Sequence, residues 1–266
     1  MLTFRNYQKV TSLEEAYELN QKKANKIIGG MLWMKMENRN IGTAIDLSGL
    51  GLDQIEETDE EFIIGCMATL RDVEFHPGLN QYTNGAIKES VRHIVGVQFR
   101  NVATIGGSIF GRFGFSDVLT MFMALDAYVE LYKGGVVPIQ TFARMERDND
   151  ILIRVIVKKT PMHVVYMSER YTKTDFPTIA CAIAKTGDTV KAVIGARPYR
   201  AICVADETGI LKQGITEDTA RAFGHYVSEH VRTGSNMRGS REYRSHLIKV
   251  IVRRAVLQLG GEQNAD

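Results

Sequence analysis

Phe99-Arg-Asn-Val-Ala-Thr-Ile-Gly-Gly-Ser108, running on through Ile-Phe-Gly-Arg-Phe-Gly-Phe-Ser116 to Asp117, is the stretch on which the reading of this chain turns. Its diglycine, Gly106-Gly107, sits between a threonine and a serine. A glycine pair lets backbone N–H groups converge on an anion, because no Cβ hinders close approach or a positive φ. A second pair, Gly29-Gly30, follows the short apolar run Lys26-Ile-Ile28 and precedes Met31-Leu-Trp-Met34. Two such loops suit a pyrophosphate clamped from both sides. A lone diglycine is more often an ordinary turn. Neither GxGxxG nor GxxxxGK[ST] occurs, so the common dinucleotide and P-loop fingerprints are missing.

Outward from the first glycine pair, Ser12-Leu-Glu-Glu15 reads as a capping box opening a helix to about Lys23. KIIGG is a very short strand entering its glycines. TAIDL and EFIIGCMA are strands separated by the acidic stretch Glu56–Glu61, and a helical segment follows around Gly85–Val95. Beyond the second glycine pair, MFMALDAYVELYKGGVVPI gives a helical turn, a strand, a turn at Lys133-Gly-Gly135 and another strand. ILIRVIVKK is a further strand, ending near Pro161. His163–Met167 alternates as a strand, and PTIACAIAK and TVKAVIGA form a hairpin about Thr186-Gly-Asp188. The remainder reads as helical, with starts at Glu217 and near Ser240. The class is therefore α+β, and without regular βαβ spacing a doubly wound fold is disfavoured. The division expected is 1–160, with parts of about 1–52 and 53–160, followed by 161–266.

Bulk properties narrow the function classes. The 266 residues carry a formal net charge of only +2, which argues against a dedicated nucleic-acid binder. Apolar runs such as Ile151–Val157 fall far short of the roughly 20 residues that a membrane-spanning helix needs. Charges interrupt the first twenty residues, so no signal peptide is expected. The three cysteines, Cys66, Cys181 and Cys203, form no CxxC pair and sit among apolar neighbours. They read as buried core residues in a reducing cytoplasm rather than as a disulfide framework or a zinc or iron–sulfur site. The histidines show no HxxxH or HExxH spacing, and Ser116 lacks a GxSxG elbow.

The surroundings of the glycines carry more than the glycines do. Phe99–Ser108, with Asp117 following and then Leu125-Asp-Ala127, resembles the FAD-binding domain of the molybdenum hydroxylases of the xanthine dehydrogenase and CO dehydrogenase type. That family has an IRNVATIGGN/S segment, a loop with Ser-Asp, and a helix ending in LDA. IIGGMLWMK stands at its first glycine-rich loop, and Ile45-Asp-Leu47 and Ile64-Gly-Cys-Met-Ala-Thr69 at its LVDL and IGAMT strands. Met237-Arg-Gly-Ser-Arg-Glu-Tyr-Arg244 is similar to its DxRxSxxYR element. The five motifs keep their order almost end to end.

The resemblance implies a vanillyl-alcohol-oxidase-type (PCMH-like) FAD-binding domain followed by a small antiparallel-sheet-plus-helices domain. It implies that Ile27, Ile28, Gly29, Gly30, Met31, Leu32, Trp33 and Met34 present amides to the FAD pyrophosphate. Thr104, Gly107 and Ser108 would supply the second loop, with hydroxyls donating to phosphate, and Asp117 would accept from the ribose. Leu152 matches a position packing near the flavin and adenine. Tyr166 opens the segment to Asp175 that passes the isoalloxazine edge. Met31, Leu32 and Trp33 depart from the family's small hydroxyl or acid, Ile94 from a stacking aromatic, and Met167 from a lysine. Partners implied are a large subunit with the molybdopterin cofactor and a small subunit with [2Fe-2S] clusters, with NAD⁺ or another acceptor taking the electrons. The basic residues Arg232, Arg238, Arg241, Arg244, Lys249, Arg253 and Arg254 form either a solvated face or a docking face for a partner. A related fold in NADPH-dependent enolpyruvyl reductases is a second reading. A flavin-free scaffold bridging the complex is a third.

Overall fold

The alternation in Gly42-Thr-Ala-Ile-Asp46 becomes the middle strand of a small parallel sheet. β1 (Thr3–Lys9), β2 (Lys26–Ile28) and β3 (Asn40–Asp46) lie in the order β1-β3-β2, with both neighbours parallel to β3. Parallel strands need a crossover, and the helix Leu13–Asn20 provides it between β1 and β2. Ser12 Oγ accepts the Glu15 amide at 3.1 Å, while the Glu15 carboxylate reaches one residue further back than a capping box requires, to the Thr11 amide at 2.9 Å. The helix stops short of Lys23 because the Asn25 side chain takes up the Leu19 carbonyl at 2.9 Å. The structure, a computed structural model, describes residues 1–261. They fall into two compact units: Met1–Val73, Val97–Gly111 and Ala127–Val157 in the first, and Glu74–Gly96, Arg112–Asp126 and the chain from Lys158 in the second.

The first unit also holds a five-stranded sheet of β4 (Ile55–Glu57), β5 (Glu61–Gly65), β6 (Ala127–Leu131), β7 (Gly135–Pro138) and β8 (Leu152–Lys158), in the order β4-β5-β8-β6-β7. The acidic stretch read as a separator contains a strand of its own, β4. It is an edge strand whose carboxylates stay exposed, and charge on an edge blunts further pairing.

In the second unit β9 (His163–Glu169), β10 (Ile179–Thr186), β11 (Thr189–Gly195) and β12 (Ile202–Ala205) form an antiparallel sheet in the order β12-β11-β10-β9. The hairpin about Thr186-Gly-Asp188 is present as expected. β12 overturns the reading of everything after β11 as helical: four residues, Ile-Cys-Val-Ala, are too few to show a period in the sequence. β10 is buried along Ile179–Ala184 on both faces, which is why it reads as a continuous apolar run rather than an alternation. The wholly buried helix Asp117–Ala124 packs against β10 and β11, closely enough that a Cβ on Gly195 would stand 2.0 Å from Thr120 Oγ1. Ile179, Cys181 and Ile183 of β10 share a core with Phe223 and Val227 of the helix Glu217–His230 and with Ile248 and Val252 of the helix Arg241–Leu259. Helices plus mainly antiparallel sheets make this the α+β fold expected.

Cys66 and Cys181 are buried and Cys203 is half-buried. Burial pushes the Cys66 thiol up to about 12 and raises Cys181 as well. Since the thiolate is the nucleophile, iodoacetamide at about pH 8 should label Cys203 alone in the native chain and all three cysteines after unfolding. Mass spectrometry of the peptides reads this directly, and rapid native labelling of Cys66 would contradict the packing described.

Candidate functional site

β2 ends after three residues because its continuation must turn sharply beneath a second segment. A Cβ on Gly29 would lie 2.8 Å from Thr104 Oγ1, and one on Gly30 would lie 2.0 Å from the Val102 carbonyl oxygen. The two glycine loops read separately from the sequence are therefore in contact, and glycine at position 30 is what lets them meet. Met31 follows with φ of +54°, a left-handed conformation that helps turn successive amides into one concavity. The amides of Gly30, Met31 and Leu32 donate to no acceptor among the described residues. Trp33 sets its ring edge-on to Phe99 at 6.3 Å between centroids, so the apolar side chain serves to pack one loop against the approach to the other. Ile28 is buried, while Ile27, Leu32 and Met34 are half-buried.

The second loop is fixed from below. Leu70 N donates to the Ala103 carbonyl at 2.8 Å, Ile105 N to Ala68 at 2.9 Å, and Gly106 N to Cys66 at 2.9 Å. Thr104 is the N-cap of the helix Ile105–Phe110, its Oγ1 accepting the Gly107 amide at 3.2 Å. Its own hydroxyl proton has no acceptor among the described residues, and the oxygen faces Gly29. The Ser108 hydroxyl donates to the Thr104 carbonyl at 2.9 Å, as serines in helices do. Leu152 lies buried in β8 opposite Leu131.

The remaining expected residues belong to the second unit. Asp117 is 5% exposed at the start of its helix. Its Oδ1 accepts from the Tyr166 hydroxyl and, at 2.5 Å, from Arg170 Nη2. Oδ2 has no partner among the described residues, which leaves one carboxylate oxygen for an external hydroxyl. Burial pushes the Asp117 carboxyl above its ordinary value while Arg170 and Tyr166 pull it back. Burial and the neighbouring carboxylate together hold the Tyr166 phenol well above its ordinary value, so it stays protonated and donates. Arg170 was reached from sequence only as one member of the segment Tyr166–Asp175. No local signal marks it, because the pairing is between residues 53 apart in sequence. Ile94 is half-buried just beyond the helix Ala86–Val91. Arg244 is a correction to the basic C-terminal face. It is 1% exposed and donates to the carbonyls of Thr178, Gly234 and Gly239 and to Asn236 Oδ1.

Chemically, the two loops gather donors: three backbone amides and the Thr104 hydroxyl, with no carboxylate side chain in either loop. That set fits an anion without net charge on the protein side, and a diphosphate has oxygens enough to meet it. The fold and the two touching glycine loops are those of a chain with an open set of backbone donors. Residues 2–159 match the family described as FAD binding domain in molybdopterin dehydrogenase, and residues 165–259 match the CO dehydrogenase flavoprotein C-terminal domain. The chain belongs to this flavoprotein family, as the resemblance of its motifs implied. It is 26% identical to the putative xanthine dehydrogenase FAD-binding subunit XdhB of Escherichia coli K12, covering 98% of this chain and 99% of that one. To the E. coli K12 protein YgfM it is 24% identical, covering 91% of each. Its fold is shared with carbon monoxide dehydrogenase from Hydrogenophaga pseudoflava (TM-score 0.86, 21% identity, 98% of both chains). The same holds for quinoline 2-oxidoreductase from Pseudomonas putida 86 (TM-score 0.83, 19% identity, 99% of both chains). No helix among the described residues is long and apolar enough to cross a membrane.

Proposed function

We propose that this chain is the FAD-carrying electron-transfer subunit of a molybdenum hydroxylase. In that role it works beside a large subunit with the molybdopterin cofactor and a small subunit with [2Fe-2S] clusters, in the cytoplasm, and passes electrons to NAD⁺ or another acceptor. The observation that carries the reading is the donor set at the two touching glycine loops, in a chain whose family is defined by FAD binding. Relatives named as FAD-binding subunits of xanthine dehydrogenase support the role in a larger oxidoreductase.

Bound FAD supplies electron transfer in single or paired steps; the chain supplies position. The amides of Gly30, Met31 and Leu32 and the Thr104 hydroxyl hold the diphosphate, needing no particular side chain at positions 31 to 33. The free oxygen of Asp117 receives a ribose hydroxyl, with Tyr166 and Arg170 fixing the carboxylate from its other side. Leu152, Ile94 and the segment from Tyr166 to Asp175 contribute to the surroundings of the adenine and flavin. The functional division is 1–160 for the cofactor and 161–266 for the C-terminal part.

The test is an absorption spectrum of the chain purified with its partner subunits, before and after acid release of cofactor. Flavin bands with about one FAD per chain are expected, since one cradle holds one diphosphate. The apolar side chains of Met31-Leu32-Trp33 keep a flavin-free scaffold as the competing reading. A chain that stays colourless with partners present and FAD added would establish the scaffold instead.

A further inference from the structure

The helices Glu217–His230 and Arg241–Leu259 pack closely at Gly224, where a Cβ would stand 2.6 Å from the Lys249 carbonyl oxygen. Between these helices is a cleft of about 350 Å³ lined by Arg221, His225, His246, Lys249, Val250 and Arg253. Five of those six side chains are basic, and Val250 is the apolar one. The cleft lies within the second unit and uses none of the glycine-loop residues.

The charges in the cleft are poorly neutralised. One carboxylate, Glu217, serves two guanidiniums, at 3.1 Å from Arg221 Nη2 and 2.5 Å from Arg253 Nε. The two arginines draw the Glu217 carboxyl below its ordinary value, Arg253 most strongly, so it remains charged and holds both side chains in place. The side chains of Lys249, His225 and His246 have no hydrogen-bond or ion-pair partner among the described residues. Three permanent cations against one carboxylate leave a surplus of two positive charges, with two imidazoles beside them able to donate N–H groups. A helix surface evolved only for solvation would intersperse the two signs.

We propose that this cleft is a binding site for a phosphate-type dianion, either inorganic phosphate or the phosphate of a small phosphorylated molecule. The surplus of two charges matches the dianion. Arginine presents forked donors suited to phosphate oxygens, and lysine adds a point charge. The volume lies at the lower end of the range for small-molecule pockets, roughly 300–1,000 Å³. It therefore has room for more than a bare phosphate. Arg221 and Arg253 side chains are 60% and 37% exposed, so binding should weaken with added salt.

The test uses the full chain with FAD present, carrying ¹³C-labelled histidine, titrated at constant ionic strength with inorganic phosphate or with adenosine monophosphate. The ring signals of His225 and His246, assigned with His225→Gln and His246→Gln, are expected to shift saturably. In an Arg221→Ala/Lys249→Ala variant the affinity should fall at least about tenfold, as loss of one charge-assisted contact implies. The flavin absorbance should not change in that variant, so failure of this site and failure of the flavin reading are told apart. Tighter binding of the nucleotide than of phosphate would identify a phosphorylated metabolite as the ligand; equal binding would identify free phosphate. Static histidine signals, equal shifts with chloride, or an unchanged affinity in the double variant would overturn the proposal. So would tighter binding of an oligoglutamate peptide, which would make the cleft a docking face for an acidic protein.

Discussion

Gly30→Ala is expected to weaken FAD binding by at least about 100-fold, equivalent to about 2.7 kcal/mol, whereas Gly107→Ala should change it only a few-fold. The contrast follows from what each new methyl meets. At position 30 it would stand 2.0 Å from the Val102 carbonyl oxygen and 2.6 Å from the carbonyl carbon. Both are backbone atoms that cannot swing aside, so one loop must move by about an ångström, the shortfall from an ordinary van der Waals contact. That displacement carries the amides of Gly30, Met31 and Leu32 with it. Hydrogen bonds to charged groups are worth roughly 1.5–3 kcal/mol each, and misplacing two of them accounts for the expected loss. At position 107 the methyl would meet only Thr104 Oγ1, at 3.2 Å, from an exposed site. Quenching of FAD fluorescence on titration into apo chain measures both affinities, and melting of the apo variants separates a shifted loop from an unfolded one. Normal FAD affinity in a folded Gly30→Ala chain would remove the two-loop cradle from the flavin site.

How far this site could be read in advance depended on whether its determinants are local. The two diglycines, the helix start at Ser12 and the hairpin about Gly187 are local devices, and each stands where the sequence places it. The contact between the loops is not local. Nothing near residue 30 says that Val102 will lie against it, so the reading supplied two phosphate loops without the reason one of them must be glycine. The same limit explains Ser108 and Asp117. Their residue types suit phosphate and ribose, but only the folded chain shows that the serine hydroxyl donates to the Thr104 carbonyl and that one oxygen of Asp117 accepts from Tyr166 and Arg170. Short edge strands were missed for a related reason. β1 is exposed along all seven residues and β4 along most of its three, so neither shows an apolar alternation. They are recruited by the strands beside them, β3 and β5, whose apolar patterns were legible.

Arg244→Met is expected to cost about 3–4 kcal/mol of stability, because four hydrogen bonds from a charged group are lost while part of the cost of burying that charge is recovered. The element Met237–Arg244 was read as a family motif with a surface of positive charge, and the structure gives its last arginine an interior task. Ser240 caps the helix by accepting the Tyr243 amide at 3.1 Å, which places residue 244 in the first turn, facing inward. From there Nε donates to the Thr178 carbonyl at 3.0 Å, Nη1 to Gly234 at 2.8 Å and to Gly239, and Nη2 to Asn236 Oδ1 at 2.6 Å. One guanidinium thus closes the loop from Gly234 to Gly239 onto the start of β10. No carboxylate among the described residues takes part: the charge is solvated by carbonyl and amide oxygens, and methionine of similar length would leave those acceptors buried and unpaired. Arg244→Lys should recover little, because three donors on a single nitrogen cannot span acceptors from two segments in a fixed fork. Arg241→Ala, one turn away and exposed, should change stability by less than about 0.5 kcal/mol. Thermal melting followed by circular dichroism would show the Arg244→Met midpoint falling by roughly 6–16 °C, at about 2–4 °C per kcal/mol for a chain of this size. Proteolysis should open first within residues 234–240. A melting point within a degree or two of the parent would mean that the loop holds without the arginine, and would return the residue to the surface role that its sequence suggests.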